Sequence, residues 1–287
     1  VATGILYVVA TPIGNLEDIT LRALRVLKEA DLIAAEDTRR TRKLLSHYGI
    51  STPLISYHAH NQASRGPELI RRLQEGESVA LVSDAGTPGF SDPGADLVAL
   101  AWEAGVRVEA IPGPAAGVAA LSMSGFKGDV TFVGFLPRSE GKRRKLLEEL
   151  AREHRVLIIY ESPQRLARTL TEMAAAAEGL GERQVLVVRE LTKKFEETWR
   201  GPLKEVAAQV AAAGEIKGEC TIVLSCPQRA LIPEVSAAAL GDALLKAARA
   251  SGLSGRRLTD RVAGELKVPR RRVYQAYLAL KEQQRLK

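Results

Sequence analysis

The sequence predicts an α/β protein of two lobes followed by a short helical tail, and three observations carry that prediction. Short apolar runs alternate with helix-length amphipathic segments through the first part of the chain, the pattern of a largely parallel sheet covered by helices. A Pro/Gly segment, IPGPAAG at residues 111–117, then separates this region from a second set of strands. From Val235 onward strand signals vanish and helical periodicity alone remains. A length of 287 residues suits two lobes plus a small extra unit.

Taken in order, ILYVVA is a first strand, ended by Thr11-Pro12-Ile13-Gly14-Asn15. TLRALRVLKEA follows as a helix with Leu21, Leu24 and Leu27 on one face, and Asp18 or Thr20 as its N-cap. DLIAAED is the next strand, and residues 38–48 form a helix stopped by Gly49. PLISYHA is a strand, residues 64–74 a helix ended at Gly76, and SVALVSDA a strand that runs into SDAGTPGFSDPG, residues 83–94. Residues 94–104 are helical, and VRVEAIPG is the last strand of the first lobe.

In the second lobe TFVGFLP, RVLIIYES, QVLVVREL and CTIVLSC are strands. Residues 139–153, 163–177 and 202–213 are helices, FEETWRG is an extended or hairpin element, and residues 227–233 form a linker. The tail holds helices at 236–250, 255–266 and 269–284. The last two are joined by Lys267-Val268, with Pro269 at the favoured first helical position, a helix-turn-helix layout. Ala263, Leu266, Val268, Val273 and Tyr277 form its apolar inner face. The expected domains are 1–113, 114–230 and 235–287.

Composition bounds the function. With 46% apolar and 26% charged residues the chain can bury a sizeable core. No apolar run approaches the roughly 20 residues that span a bilayer, and the first residues read as a strand and not a signal peptide. A cytoplasmic protein is expected. The two cysteines, Cys220 and Cys226, lie six apart on an apparent strand, which puts both on one face as buried thiols. No metal-ligand spacing is present, so no metal is expected. The charge is +7, from 41 Lys+Arg against 34 Asp+Glu. Lys and Arg cluster at 39–43, 142–145, 256–257 and 270–272, which suits a polyanion such as RNA; solvated helix faces are the plainer account of any single cluster.

Phosphate-loop, GxGxxG, HExxH, CxxC and GxSxG motifs are all missing, which argues against nucleotide hydrolysis, zinc hydrolysis and serine-nucleophile chemistry. What stands out is the loop at 83–94. It follows an apolar strand and precedes a helix, where open α/β sheets bind ligands. An ordinary turn needs fewer residues. Here Gly86 and Gly89 let backbone approach a ligand, Pro88 and Pro93 stiffen it, and Asp84 and Asp92 offer acceptors. ATPIGN and IPGPAAG end two other strands, so three stiff turns would rim one cleft.

Pro12 with Gly14-Asn15, AEDTR at 35–39, SDAGTPGFSDPG, IPGPAA, RELTK at 189–193 and KGE at 217–219 occur in this order. Together they resemble the tetrapyrrole methylase superfamily, in its branch that methylates small-subunit ribosomal RNA. The resemblance runs from about Leu6 to Cys226. It implies a two-lobed tetrapyrrole-methylase-like α/β fold, with a mainly parallel N-terminal sheet and a mixed-sheet second lobe, to which the helical tail is added. It implies S-adenosylmethionine in the cleft between the lobes, a homodimer, and 2′-O-methylation of a cytidine in the decoding centre of 16S rRNA in the 30S subunit. Gly86-Thr87-Pro88 matches the superfamily's Gly-Asp-Pro turn along the cofactor; Thr in the middle place departs from the tetrapyrrole members and agrees with the rRNA branch. Asp84, Pro12, Ser91, Asp92, Ala115, Ala116 and Phe135 are expected around the cofactor, with Glu219 and Cys220 approaching from the second lobe.

Methyl transfer from a sulfonium is a direct displacement, and a ribose hydroxyl needs a positioned base or acceptor. Glu36, Asp37 and Glu190 are the candidates, with Lys193 to steady the acceptor. Asp37 and Glu36 also fit a plainer role at a helix N-terminus. Expected RNA contacts are Asn15, Arg39, Arg40, Lys142, Arg143, Arg144, Arg270, Arg271 and Arg272. The last three start a helix, where cations are tolerable if a phosphate binds there; a dimer or packing element is the other reading of that tail. Neither a membrane nor DNA is an expected partner. The competing functions are a precorrin-type small-molecule methyltransferase, a protein-modifying relative such as diphthine synthase, and a non-catalytic RNA-binding factor.

Overall fold

The first five apolar runs pair into one sheet in the computed structural model, which describes residues 3–91, 94–175, 180–227, 236–266, 268 and 270–282. These strands are β1 (Ile5–Val9), β2 (Leu32–Ala35), β3 (Leu54–Ser56), β4 (Val79–Val82) and β5 (Arg107–Ile111). They lie in the order β3-β2-β4-β1-β5, and every pair is parallel. β2 and β4 are buried at every residue, which is why they read as unbroken apolar runs. Helices α1 (Leu21–Glu29) and α2 (Thr38–His47) pack on one face; α3 (Gln62–Gln74) and α4 (Ala95–Glu103) pack on the other. Thr20 caps α1 by accepting from the Ala23 N–H at 3.0 Å, whereas Asp18 falls in a separate 3₁₀ turn, Leu16–Asp18.

Parallel pairing has one consequence for function. The loops after β1, β2, β4 and β5 all leave the same edge. Chain order reverses between neighbours β4 and β1, the position where open α/β sheets form a crevice.

The second sheet holds β6 (Val130–Phe135), β7 (Val156–Glu161), β8 (Gln184–Arg189), β9 (Glu197–Pro202) and β10 (Cys220–Leu224), in the order β6-β7-β10-β8-β9. β6 and β7 run parallel and the other pairs antiparallel, so the sheet is mixed. FEETWRG resolves as a hairpin strand, β9 on β8. One face is covered by α6 (Glu140–Ala151), α7 (Pro163–Ala175) and α8 (Leu203–Ala212); the other carries α5 (Ala116–Ser124). Sequence reasoning missed α5. Its AGVAALSMS is apolar or small all round, so it lacks the polar stripe that marks an amphipathic helix.

Cys220 is buried on β10, but the strand ends at Leu224. Ser225 turns the chain, accepting from Gln184 N–H at 3.1 Å. Cys226 therefore lies beyond the strand, its Sγ 3.2 Å from the Lys127 carbonyl, and the shared-face expectation fails. Arg183, fully buried, donates to the carbonyls of Leu150 in the last turn of α6, of Glu153 and Arg155 just past it, and of Ser225. A cation satisfies those terminal carbonyls and the helix dipole together.

The chain divides into two compact units, Val1–Pro227 and Gln228–Lys287. The second consists of α9 (Ala237–Ser251), α10 (Gly255–Leu266) and α11 (Arg270–Glu282). Ala263, Val268, Val273 and Tyr277 join its core beside Leu240, Leu244, Leu258 and Leu280, and Leu266, half-buried, packs against it. Tyr277 adds a hydroxyl that accepts from the Gly255 N–H at 3.2 Å. Lys267, Pro269 and residues 228–235, which take in all of the expected linker but Pro227, lie outside the described residues. Among the described residues, no helix is long and apolar enough to cross a membrane.

Candidate active site

The turns at the edge of the first sheet are tied to one another by hydrogen bonds. Thr11 and Gly86 exchange backbone bonds of 2.8 and 3.0 Å, joining the turns after β1 and β4. The Thr11 hydroxyl also donates to the Ser83 carbonyl at 3.2 Å. Thr87 donates to the Pro114 carbonyl at 3.1 Å, joining the turn after β5. The Asp37 N–H donates to the Asp84 carboxylate at 2.9 Å, joining the turn after β2. Gly86 sits at φ +83°, a conformation that an L side chain resists.

The second sheet supplies the facing wall. Register slips between Phe132 and Gly134 where β6 meets β7, and such a bulge re-aims the side chains after it. A Cβ on Gly134 would stand 2.8 Å from the Ser91 Oγ, so the loop after β4 abuts this strand. Phe90 stacks on Phe132 with centroids 3.9 Å apart, and Tyr160 meets Phe132 and Phe135 edge-on. The Tyr160 hydroxyl accepts from the Gly117 N–H at 3.0 Å. RELTK forms a tight turn after β8, with Glu190 at φ 52° and Thr192 at φ 68°, strain that non-glycine residues rarely carry. That turn places Lys193 where any side chain on Gly14 would collide with it. The Lys193 Nζ donates to Glu190 at 2.8 Å and Glu219 at 3.0 Å.

Between the walls lies a cavity of about 380 Å³, within the range of small-ligand sites. Of the expected cofactor residues, Asp84, Gly86, Thr87, Ser91, Ala115, Ala116, Phe135, Glu219 and Cys220 line it. Pro12 and Pro88 belong to the same turns without lining the cavity, and Asp92 lies outside the described residues.

Of the four catalytic candidates only Glu36 lines the cavity. Burial pushes its carboxyl above the ordinary value, and the neighbouring Asp84 carboxylate adds to the shift. Asp37 is occupied elsewhere. It caps α2 by accepting from the Arg39 N–H at 2.8 Å and grips the Arg39 guanidinium, which holds it well below the usual carboxylate range. The plainer helix-start role describes Asp37. Glu190 and Lys193 stand behind Glu219. Burial opposes both charges, yet their mutual hydrogen bond and the Glu219 contacts prevail, lowering Glu190 and raising Lys193. Burial pushes the Cys220 thiol up to about 12, so it is inert.

The expected RNA contacts separate. Arg40 lines the cavity and lies 3.6 Å from Asp84, and Arg39 is exposed beside Asp37. Asn15 is exposed and caps the 3₁₀ turn. Lys142 and Arg144 are exposed on α6, and Arg271 and Arg272 on α11, where Arg270 lies 3.3 Å from Asp260. Arg143 is a correction. Its side chain is 4% exposed and holds Glu172 through bonds of 2.6 and 2.9 Å. It sits on the inner side of α6, unlike its neighbours in sequence.

Sequence reasoning missed Ile13, Phe90, Tyr160, Glu161, Ser162, Pro163, Leu191, Gly218 and Thr221 in the lining. YESP at the end of β7 had a usable signal, a strand closing on an acid, a hydroxyl and a proline. Only the pairing of Cys220 with Glu161 shows that it shares the edge with KGEC. Glu161 is itself committed to Thr169, Arg165 and the Ser162 N–H.

A parallel sheet whose turns face a mixed sheet across a small-ligand cavity defines a two-sheet α/β protein built to hold a small ligand between its sheets. The model of the Tetrapyrrole (Corrin/Porphyrin) Methylases matches residues 5–207. The chain is 48% identical over 279 residues to the ribosomal RNA small subunit methyltransferase I of Synechocystis sp., covering 96% of this chain and 98% of that one. Its identity to the protein of the same name from Bacillus subtilis is 42%, covering 96% and 94%. A structure of uroporphyrin-III C-methyltransferase from Thermus thermophilus, complexed with S-adenyl homocysteine, superposes with TM-score 0.56 at 22% identity, covering 77% and 97%. The chain belongs to the tetrapyrrole methylase family, within the group of ribosomal RNA small subunit methyltransferase I proteins. Members of this family are S-adenosylmethionine-dependent methyltransferases.

The lining fits such a donor. Small residues Gly86, Ala115 and Ala116 expose backbone, Phe90 and Phe135 offer apolar faces for a purine, and Asp84 and Glu219 present carboxylates toward a cationic molecule with ribose hydroxyls.

Proposed function

We propose that this chain transfers a methyl group from S-adenosylmethionine to small-subunit ribosomal RNA, at the ribose 2′-hydroxyl of a cytidine in the decoding centre of 16S rRNA. The observation that carries the reading is the set of interlocked turns around one cavity, on a chain alike over 96% of its length to a protein named for rRNA methylation. The bound donor supplies an electrophilic methyl. Asp84, Gly86, Thr87 and Ser91 hold it from the first lobe and Ala115, Ala116, Phe135, Glu219 and Cys220 from the second, with Pro12 and Pro88 in the turns that frame the cavity. Glu36 accepts the hydroxyl proton or its hydrogen bond; its raised pKa improves it as a base near neutrality. Glu190 and Lys193 act as positioning residues, fixing Glu219 and the turn after β1. Asn15, Arg39 and Arg40 meet RNA at the mouth; Lys142, Arg144 and α11's Arg270, Arg271 and Arg272 are further contacts. The homodimer and the 30S substrate are what the same resemblance implies; the domains 1–113, 114–230 and 235–287 and the cytoplasmic setting rest on the sequence pattern alone.

The precorrin-type alternative shares the fold, but its support comes from structures at about the 22% identity of the uroporphyrin enzyme, which speak for fold alone. Radiolabel transfer from S-adenosylmethionine to 30S subunits, free 16S rRNA and a tetrapyrrole separates the readings. Label on the ribose of one cytidine is expected. Label on the tetrapyrrole alone, or on a base, overturns the proposal.

A further inference from the structure

We propose that the outer face of α2 is the track along which the acceptor's phosphodiester backbone enters the cleft; the inference rests on the RNA reading above. Thr41, Leu44 and Leu45 are buried against the sheet, while Arg39, Arg40, Arg42, Lys43, Ser46 and His47 are all exposed. Among the described helices, α2 alone combines Lys or Arg with no Asp or Glu. Its basic groups are also unevenly committed. Arg39 is held by Asp37 and Arg40 lies near Asp84, whereas Arg42 and Lys43 form no ion pair among the described residues. Other surface arginines, such as Arg25, Arg71 and Arg261, each face a glutamate four residues on, so their fields cancel locally.

Position gives the cationic face its direction. The helix begins in the AEDTR turn, whose Glu36 and Arg40 line the cavity. A separate open depression further along the same helix is lined by Arg39, Arg42, Lys43, Ser46 and His47. Ten residues of α-helix span about 15 Å, over which one duplex strand carries about four phosphates. The free cations therefore lie where phosphates flanking a nucleotide seated at Glu36 would run. Charge of one sign, exposed on a helix that starts at the turn lining the reaction cavity, matches a polyanionic nucleic-acid backbone in preference to an apolar or basic partner.

The test is binding of the full-length protein to 30S subunits and to 16S rRNA across a salt series, for wild type, Arg42→Gln/Lys43→Gln, and an equal-charge control, Arg25→Gln/Arg71→Gln. The α2 variant is expected to flatten the log–log salt slope by about 1 per lost phosphate contact, to raise KM for RNA, and to keep the wild-type Kd for S-adenosylmethionine. The control is expected to keep the wild-type slope. Equal slopes for wild type and the α2 variant overturn the proposal. So does an unchanged slope accompanied by dissociation of an oligomer in sedimentation, which would make α2 a protein interface. Binding is read without methyl transfer, so failure of the functional reading shows separately: a protein that binds with the expected slope change but methylates no cytidine supports the track and rejects the assigned reaction.

Discussion

Helices α2 and α6 carry similar basic runs, TRRTRK and GKRRK, and the molecule uses them differently. On α6 the four Lys/Arg share the helix with Glu140, Glu148 and Glu149. Arg143 turns inward to Glu172, and Arg144 lies 3.9 Å from Glu148. On α2 the four basic residues share the helix with no acid, and none turns inward. The difference teaches that a basic run becomes a usable field only where its helix supplies no internal counter-charge and its buried stripe is already apolar. On α6, by contrast, one of the four charges is spent on structure.

The largest test of this contrast is at the start of α2. Glu36→Gln is expected to lower single-turnover methyl transfer by about 10²–10⁴-fold with S-adenosylmethionine binding retained. In wild type the rate should rise with pH through the Glu36 pKa, which lies above the ordinary 4.5; the variant should lose that limb. The stability sign is opposite. Between the ordinary and the raised pKa the folded state holds the proton more tightly, so stability falls as pH rises across that window. Glu36→Gln should therefore be as stable as wild type or more so at neutral pH. An intact acid limb in the variant would remove Glu36 from the base role.

Next in size is Arg143→Ala, which strips a half-buried carboxylate of its main partner. A loss of about 3 kcal/mol is expected, lowering Tm by roughly 6–12 °C, without a change in RNA salt slope. Arg143 and Arg168 hold the Glu172 carboxyl down at about 2, so the pair's stabilisation is complete above the ordinary carboxylate pKa and fades as pH falls toward 2. A variant with wild-type Tm would show that the inward turn of Arg143 is incidental. The smallest effect belongs to Lys142→Gln/Lys145→Gln on the exposed face of α6. Stability should change by less than about 0.5 kcal/mol, and the salt slope by less than half the change in the α2 variant. A slope change as large as that of α2 would erase the distinction between the two helices.

The sequence alone determined the strands, most helices and the order of the turns. Apolar runs that alternate with amphipathic segments have few other ways to bury their surface, and glycine and proline fix turn positions by local sterics. The family resemblance also named nine cofactor residues that share one cavity lining; Asp84, Gly86, Thr87, Ser91, Ala115 and Ala116 come there because parallel strands deliver their following turns to one edge, whereas Phe135, Glu219 and Cys220 come from the second sheet and its edge. Helix α5 escaped because it has no polar stripe to reveal its period. Tertiary structure alone decided which acid faces the cavity. Glu36 and Asp37 are neighbours in sequence, and the strand-to-helix turn sends one inward and makes the other a cap. It alone decided which arginine of α6 is buried, because Glu172 approaches from another helix. It also brought YESP beside KGEC, through antiparallel pairing between strands distant in the chain. Spacing along the chain reports local geometry; which charges meet depends on contacts between remote segments, and only the folded packing specifies those.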